Sequence, residues 1–396
     1  MQALDGIKVL DLSRVLAGPW CAQTLADLGA EVWKVESPQG DDTRAWRPPE
    51  IGGESTYFIA ANRSKKSIAV NFKSAGGQEI IRRLAQKADV LVENYRRGTL
   101  ERVGLGYQDL GTLNPRLVYC SISGYGRVGP RADEPGYDFV IQAESGLMAI
   151  TGEPEGEPMK LGVAVTDILT GMNATQAVLA ALLARERTGR GQFIDAALLD
   201  SAIGVLANVA TGYLNTGEAP SRYGNAHPTV VPYQIFPTRN GTIALAVGND
   251  AQFRTLCERI VGRPELAGDE RYRTARARVL NREPLIATLT EIFRRDTTAA
   301  WLERLRAAGV PAGQVRTVPE VFEAPEVAAR RLVAEVPDAR HGVVRVMRSP
   351  LGLTGTPARE PAAPPRLGEH TDEILREALG ATDAEIARWR ECGAVA

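Results

Sequence analysis

The apolar positions begin as short runs separated by turn residues. Ile7–Leu12 (IKVLDL) is the first, and a helical repeat around Ala22–Leu28 follows it, stopped at Gly29. Short apolar runs bounded by turns predict buried strands, and helical periodicity predicts amphipathic helices. On those grounds Glu31–Val35, Ser67–Asn71, Asp89–Glu93 and Leu117–Ile122 are strands, with a helix over Gly77–Lys87. Strands alternating with helices predict an α/β fold with a largely parallel sheet covered on both faces. A long helix is expected from about Thr166 to Arg187, closed by Gly189. Ala174, Ala177, Ala181 and Ala184 form a stripe of small side chains along it, beside a larger apolar stripe of Ile168, Met172, Leu179 and Leu182. The small stripe lets another helix or backbone approach closely.

Near Gly224 the pattern changes. Tyr233–Thr238 and Thr242–Val247 flank Asn240-Gly241, a hairpin signal, and amphipathic helices are expected near Asp250–Val261, Arg282–Arg294 and Ala299–Ala308. This reads as a smaller second domain. The proline-rich stretch Thr354–Arg366 reads as an extended connection to two terminal helices.

Composition narrows the picture. At 396 residues the chain exceeds what one hydrophobic core usually serves, in keeping with two domains. Lys+Arg 47 against Asp+Glu 48 leaves no charge surplus for nucleic acid or a membrane surface, so anionic ligands would need local basic patches. The four cysteines (Cys21, Cys120, Cys257, Cys392) form no C-x-x-C pair, which argues against a zinc knuckle or disulfide framework and fits a reducing compartment. The N-terminus shows no basic segment followed by an apolar one, and no stretch approaches the roughly 20 apolar residues of a membrane span. A cytoplasmic protein is expected.

Candidate chemistry is sparse. Gly124-Tyr-Gly126-Arg-Val-Gly129 matches G-x-G-x-x-G after a predicted strand. A dinucleotide site needs a helix to start there, whereas Pro130 and a polar run follow, so a glycine-rich loop lining another ligand is the better reading. The three histidines (His227, His341, His370) have no metal-ligand spacing, and no serine or cysteine stands beside an evident base. Carboxylates remain. Asp167, in VAVTDILTG, sits where the long helix begins. Thr and Asp at a helix start are standard caps worth about 1 kcal/mol. The same place suits a nucleophile, because the helix N-terminus favours the anion and keeps it ionised at neutral pH. Position alone leaves both readings open.

Several segments, in order, resemble the class III CoA-transferase family, of the formyl-CoA/carnitine-CoA transferase type. They are LDGIKVLDLSRVLAGPW, WKVESPQGDDTR, NRSKKSIAVNFK, DVLVENYRRGTLERVGLGY, PGYDFVIQAESG, GVAVTDILTGMNA, RTGRGQFIDAALLDSA, AAGVPAGQV and PPRLGEHTDEIL, and together they span nearly the whole chain. The resemblance implies a Rossmann-like α/β large domain from both chain ends (1–200 and 325–396), a smaller α+β domain (225–324), a linker (201–224), and an interlocked homodimer. It makes Asp167 the nucleophile, passing through an acyl anhydride and an aspartyl-CoA thioester. Covalent relay preserves the thioester's free energy, so neither ATP, a metal nor a cofactor is expected, CoA being a substrate. The resemblance carries CoA contacts onto Arg14, Leu16 and Ala17; onto Val70, Asn71, Phe72 and Lys73; and onto Asn94, Tyr95, Arg96 and Arg102. Many relatives have histidine where Arg14 stands. Lys73 and Arg102 suit phosphates, though by themselves they read as solvated surface charges. Tyr137 and Asp138 fall beside the thioester.

The 2-methylacyl-CoA racemases resemble this pattern with G-H-D, whose histidine is an acid/base group. Here the segment is Gly136-Tyr137-Asp138, and a tyrosine of pKa about 10 exchanges protons poorly at neutral pH. Racemisation is therefore the second reading. GNAHPTVVPYQIF and LAVGNDAQF resemble the branch that moves CoA from succinyl-CoA to another dicarboxylate. Malate, citramalate, itaconate, mesaconate and glutarate all fit that branch. Gly224, Asn225 and His227 mark the candidate substrate-facing loop, with His227 suited equally to a remote carboxylate or a structural hydrogen bond.

Overall fold

The computed structural model describes all 396 residues, Met1–Ala396. The chain divides into two compact units, one of Met1–Leu147, Lys160–Gly217 and Glu326–Ala396, the other of Met148–Met159 and Glu218–Pro325.

The first unit carries β1 (Lys8–Asp11), β2 (Glu31–Glu36), a small hairpin of β3 (Glu50–Ile51) and β4 (Glu54–Ser55), β5 (Lys66–Ala69), β6 (Val90–Glu93), β7 (Val118–Ser123) and β8 (Phe193–Ala197). Six of these make one sheet in the order β5-β2-β1-β6-β7-β8, every neighbouring pair parallel. Strand order reverses at β1 and β6, the doubly wound arrangement of nucleotide-binding folds. Alternation along each strand sorts the side chains into two cores. Val9, Val32, Val90, Val92, Val118, Cys120 and Ile122 face one side, while Leu10, Trp33, Val35, Ile68, Leu91 and Tyr119 face the other.

Helices cover both faces: α1 (Ala17–Asp27), α2 (Thr56–Asn62), α3 (Ala75–Ala85), α4 (Tyr107–Leu113), α5 (Asp138–Glu144), α6 (Val165–Thr188), α7 (Leu198–Gly204) and α8 (Ala207–Thr216). Helix α6 is the predicted long helix, and Gly189 closes it at φ 70°. By length and composition it is long and apolar enough to cross a membrane, which corrects the expectation that no stretch approaches such a span. Here Gly171, Ala174, Val178 and Ala181 are buried, and a Cβ added at Gly171 would lie 2.7 Å from the Ala17 carbonyl oxygen. The small-residue stripe thus seats α6 against α1. Helix α1 starts five residues before its expected start, because Gly18 and Pro19 fit a first turn whose N–H groups need no internal partner. The stretch 201–224, expected as a linker, holds most of α7 and all of α8.

The chain end returns to the sheet edge. Val70 bridges Val395, Asn71 N–H donates to the Ala394 carbonyl at 2.8 Å, and His370 Nδ1 accepts from Ser67 N–H at 3.2 Å. The terminal helices Thr371–Leu379 and Asp383–Glu391 put Ile374, Leu375, Ile386 and Trp389 into the core beneath α3.

In the second unit β9 (Tyr233–Pro237), β10 (Thr242–Ala246) and β11 (Ala312–Gln314) form an antiparallel sheet in the order β11-β10-β9, with Asn240-Gly241 at the expected turn. Phe236, Ile243, Leu245, Phe253, Leu289, Phe293 and Trp301 make its core. The single helix expected over Asp250–Val261 is Asp250–Thr255 followed by a π turn, Leu256–Ile260.

Candidate active site

Open parallel sheets gather ligands beyond the C-terminal ends of their strands. Three loops and one helix end meet there in the first unit. The loop after β1 is held at three consecutive residues. Ser13 N–H donates to Asp11 Oδ1 at 3.0 Å, and Val15 N–H lies 3.3 Å from both Asp41 oxygens. Asn94 grips Arg14 twice, accepting its N–H at 2.9 Å and donating to its carbonyl at 2.8 Å. Asp11 and Asp41 are buried beside Lys65 and Lys34, at 2.9 and 3.0 Å. Burial works against ionising these carboxyls, but the lysine charges outweigh it and hold both below the usual carboxylate range.

The loop after β6 hangs from Glu93, which accepts Tyr95 N–H at 2.8 Å and Arg127 Nη2 at 2.6 Å. Burial pushes the Glu93 acid up despite Arg127. Phe72 meets the Tyr95 ring edge-on at 5.3 Å, and the Arg14 guanidinium stands 5.3 Å over the same ring. The loop after β7 contains the glycine motif. No helix follows the motif until Asp138, so the dinucleotide reading falls away and Gly124 lines the pocket instead. A Cβ on Gly124 would come 2.6 Å from Gly136 Cα. Two glycine backbones touch there, and the returning loop delivers Tyr137 and Asp138 to the head of α5.

The start of α6 bears on the capping reading of Asp167. Thr166 N–H and Oγ1 both donate to Asp138 Oδ1, at 2.8 and 2.7 Å, while Asp138 Oδ2 accepts from Gln142 at 2.7 Å. The cap of α6 is therefore supplied by α5, and Asp167 caps nothing. Its carboxyl stands on the wall of a pocket of about 220 Å³. Burial first, and the Asp138 charge second, push it up to about 7. The expectation that the helix end alone keeps Asp167 ionised at neutral pH is corrected: the group is ionised only in part there, because burial and the Asp138 charge hold its acid up. A carboxylate of raised pKa is also the more basic nucleophile.

Of the residues proposed from sequence, the pocket wall unites Arg14, Ala17, Asn94, Tyr95, Arg96, Tyr137 and Asp167. Leu16 is buried at the head of α1. Val70 is core, Asn71 donates to the Gly393 carbonyl at 3.3 Å, and Phe72 reaches the pocket only through Tyr95. Lys73 and Arg102 are exposed and outside the wall. Asn94 spends its amide on the Arg14 main chain. Within the second unit, His227 Nδ1 accepts Thr229 N–H at 3.1 Å. Gly224 has φ 56° and Asn225 lines a groove of about 380 Å³ with Tyr233 and Ala246.

Sequence reasoning missed Arg97 and Arg127 on the wall, the Lys34–Asp41 pair behind it, and Tyr57. Burial, with the charges of Asp167 and Asp138, pushes the Tyr57 phenol up to about 12, so it remains an O–H donor. Lys34 carried a signal: a lysine amid the apolar residues of a buried parallel strand needs a partner.

Residues 4–371 match the family described as CoA-transferase family III. The chain belongs to that family. As a family III CoA-transferase it is an enzyme, and similarity runs along its full length. It is 44% identical over 396 residues to the succinyl-CoA:glutarate CoA-transferase of Homo sapiens, covering 100% of this chain and 90% of that protein. It is 47% identical over 385 residues to the succinate–glutarate CoA-transferase of Agrobacterium fabrum, covering 94% and 95%. A solved CAIB/BAIF family protein from Brucella suis superposes with a TM-score of 0.85 at 46% identity, over 95% of this chain and 99% of that one.

Proposed function

We propose that this CoA-transferase moves CoA from succinyl-CoA to a small dicarboxylate, glutarate foremost, with Asp167 as the covalent carrier. The observation that carries the proposal is the Asp167 carboxyl itself, free of any capping duty, on a pocket wall, with a pKa near neutrality. The two relatives named for glutarate support the choice of substrates.

The Asp167 carboxylate attacks the succinyl thioester carbonyl, the C–S bond breaks, and a mixed anhydride and CoA thiolate result. The thiolate then attacks the Asp167 acyl carbon, releasing succinate and leaving an aspartyl-CoA thioester. Glutarate attacks that thioester in turn, forming a second anhydride. The returning thiolate takes the glutaryl group and frees Asp167. No bond energy is lost to water at any step, so the cycle runs without ATP, metal or cofactor. Tyr137 and Asp138 flank the reacting carbonyl in this scheme, and the Asp138 charge adds to burial in raising the aspartate's pKa. Arg14, Arg96 and Arg97 on the pocket wall support a site for the anionic groups of CoA. We further assign the enzyme to the cytoplasm and to an interlocked homodimer. Exposed Met172, Leu183, Ile203, Tyr213 and Leu214 on α6, α7 and α8 support an interface between copies.

Initial rates across both substrates test the scheme. A covalent carrier requires ping-pong kinetics, with parallel double-reciprocal lines and glutaryl-CoA formed without ATP. Intersecting lines would remove the carrier, and C2 deuterium exchange into a methyl-branched acyl-CoA with no acid consumed would replace transfer by racemisation.

A further inference from the structure

The loop after β1 contains a feature that CoA binding alone does not explain. Val15 lies in the left-handed region, at φ 69°, where a β-branched residue is an outlier. Such conformations persist only where the surroundings hold them, and they concentrate at functional sites. What holds this one is not part of the pocket wall. Both Asp41 oxygens face Val15 N–H at 3.3 Å, and Asp41 is itself fixed by Thr43 N–H at 3.0 Å and Thr43 Oγ1 at 2.8 Å. Lys34 Nζ donates to Asp41 at 3.0 Å and to the Ser13 carbonyl at 3.1 Å. One ion pair thus grips the loop at residues 13 and 15, and both of its side chains are wholly buried. For stability alone, apolar side chains of similar volume would serve as well or better than a buried pair. Arg14 between the two grips, Val15 itself and Ala17 beyond it line the pocket with Asp167.

We propose that Lys34 and Asp41 are positioning residues for acyl-CoA: their ion pair locks Val15 in its left-handed turn, and that turn presents the Arg14–Ala17 segment to the ligand. The proposal rests on reading this pocket as the CoA site. Neither residue touches the ligand, and both act through the backbone of residues 13–15. Asn94 closes the opposite side of the same loop, so the segment is preorganised before CoA arrives.

The test is a double-mutant cycle on the full-length protein, read by calorimetric titration with CoA and by steady-state kinetics. Asp41→Asn is expected to weaken CoA binding about tenfold and to raise KM for succinyl-CoA in proportion, with kcat at saturation little changed. In the Val15→Gly background the same substitution should cost less than about threefold, because glycine takes a positive φ without help. Equal losses in both backgrounds, or a lowered Tm with CoA affinity intact, would overturn the proposal. Should Asp41→Asn fail to fold, Val15→Pro replaces it, since proline fixes φ near about −65°; undiminished CoA binding by that variant would equally overturn it. Absence of CoA binding by the unmodified enzyme would instead refute the CoA reading of the pocket, which keeps the two failures apart.

Discussion

Asp167 should cost the protein stability in return for its reactivity, and the cost has a calculable pH dependence. Its acid is raised from 3.8 to about 7, by burial first and by Asp138 second. A rise of roughly three units, at about 1.4 kcal/mol each, is about 4 kcal/mol of destabilisation once the group is ionised in both states. The helix N-terminus returns about 0.5–1 kcal/mol of that, leaving about 3 kcal/mol. The sign follows from proton counting. Between the two values the folded state binds more protons than the unfolded one, so stability falls as pH rises through that window. Below it both states are protonated and the penalty vanishes; above it the penalty is complete. Asp167→Asn, a neutral isostere, should therefore stabilise the enzyme by about 3 kcal/mol at pH 8, by about 1–2 kcal/mol at pH 5, and hardly at all near pH 3.5, while abolishing turnover. Urea unfolding of both proteins across that range provides the measurement. A gain independent of pH, or a destabilisation at pH 8, would refute the reasoning, because either would mean that the Asp167 carboxylate is not desolvated in the folded enzyme.

Other outcomes follow from the same site. Turnover should rise with pH through about 7 as Asp167 ionises, and Asp138→Asn, which removes the neighbouring charge, should move that limb to lower pH in a pH–rate profile. Arg127→Leu leaves Glu93 buried without its cation and should cost about 3–5 kcal/mol in denaturant unfolding. Gly171→Ala sets a methyl 2.7 Å from the Ala17 carbonyl and 3.0 Å from Trp20 Cβ, so it should lower stability by about 1–3 kcal/mol and show a reduced Tm. Gly124→Ala presses on the Gly136 backbone and should reduce kcat by displacing Tyr137 and Asp138, which single-turnover kinetics would register.

Much of the sheet was legible because its strands are continuous apolar runs. Glu31–Val35 against the observed Glu31–Glu36, and Leu117–Ile122 against Val118–Ser123, differ by a residue at their ends. Strand β8 was not read as one: Phe193–Ala197 is an edge strand whose short apolar stretch is interrupted by Asp195 and runs straight into the apolar start of α7. The hairpin Val333–Asp338 and Gly342–Met347 was missed as well, since its alternating pattern is broken by Pro337 and paired charges. For the site, local sequence reached Asp167 but could not separate a cap from a nucleophile. The structure puts the cap on Asp138, 29 positions away, which takes the Thr166 N–H and leaves Asp167 without capping duty. Buried pairs such as Lys34–Asp41 and Glu93–Arg127 are likewise settled by tertiary contact, which periodicity does not encode. Val15 illustrates the limit most sharply, for nothing in R-V-L-A announces a left-handed valine.

The central claim is that Asp167 is esterified in every turnover. Glutarate labelled with ¹⁸O in its carboxylates decides it most directly, through mass spectrometry of the peptide containing Asp167 after repeated turnover with succinyl-CoA. A covalent carrier exchanges oxygen with each acid that passes through the anhydride, so label must accumulate in the Asp167 side chain. An enzyme that forms labelled glutaryl-CoA while the Asp167 peptide stays unlabelled would contradict the account.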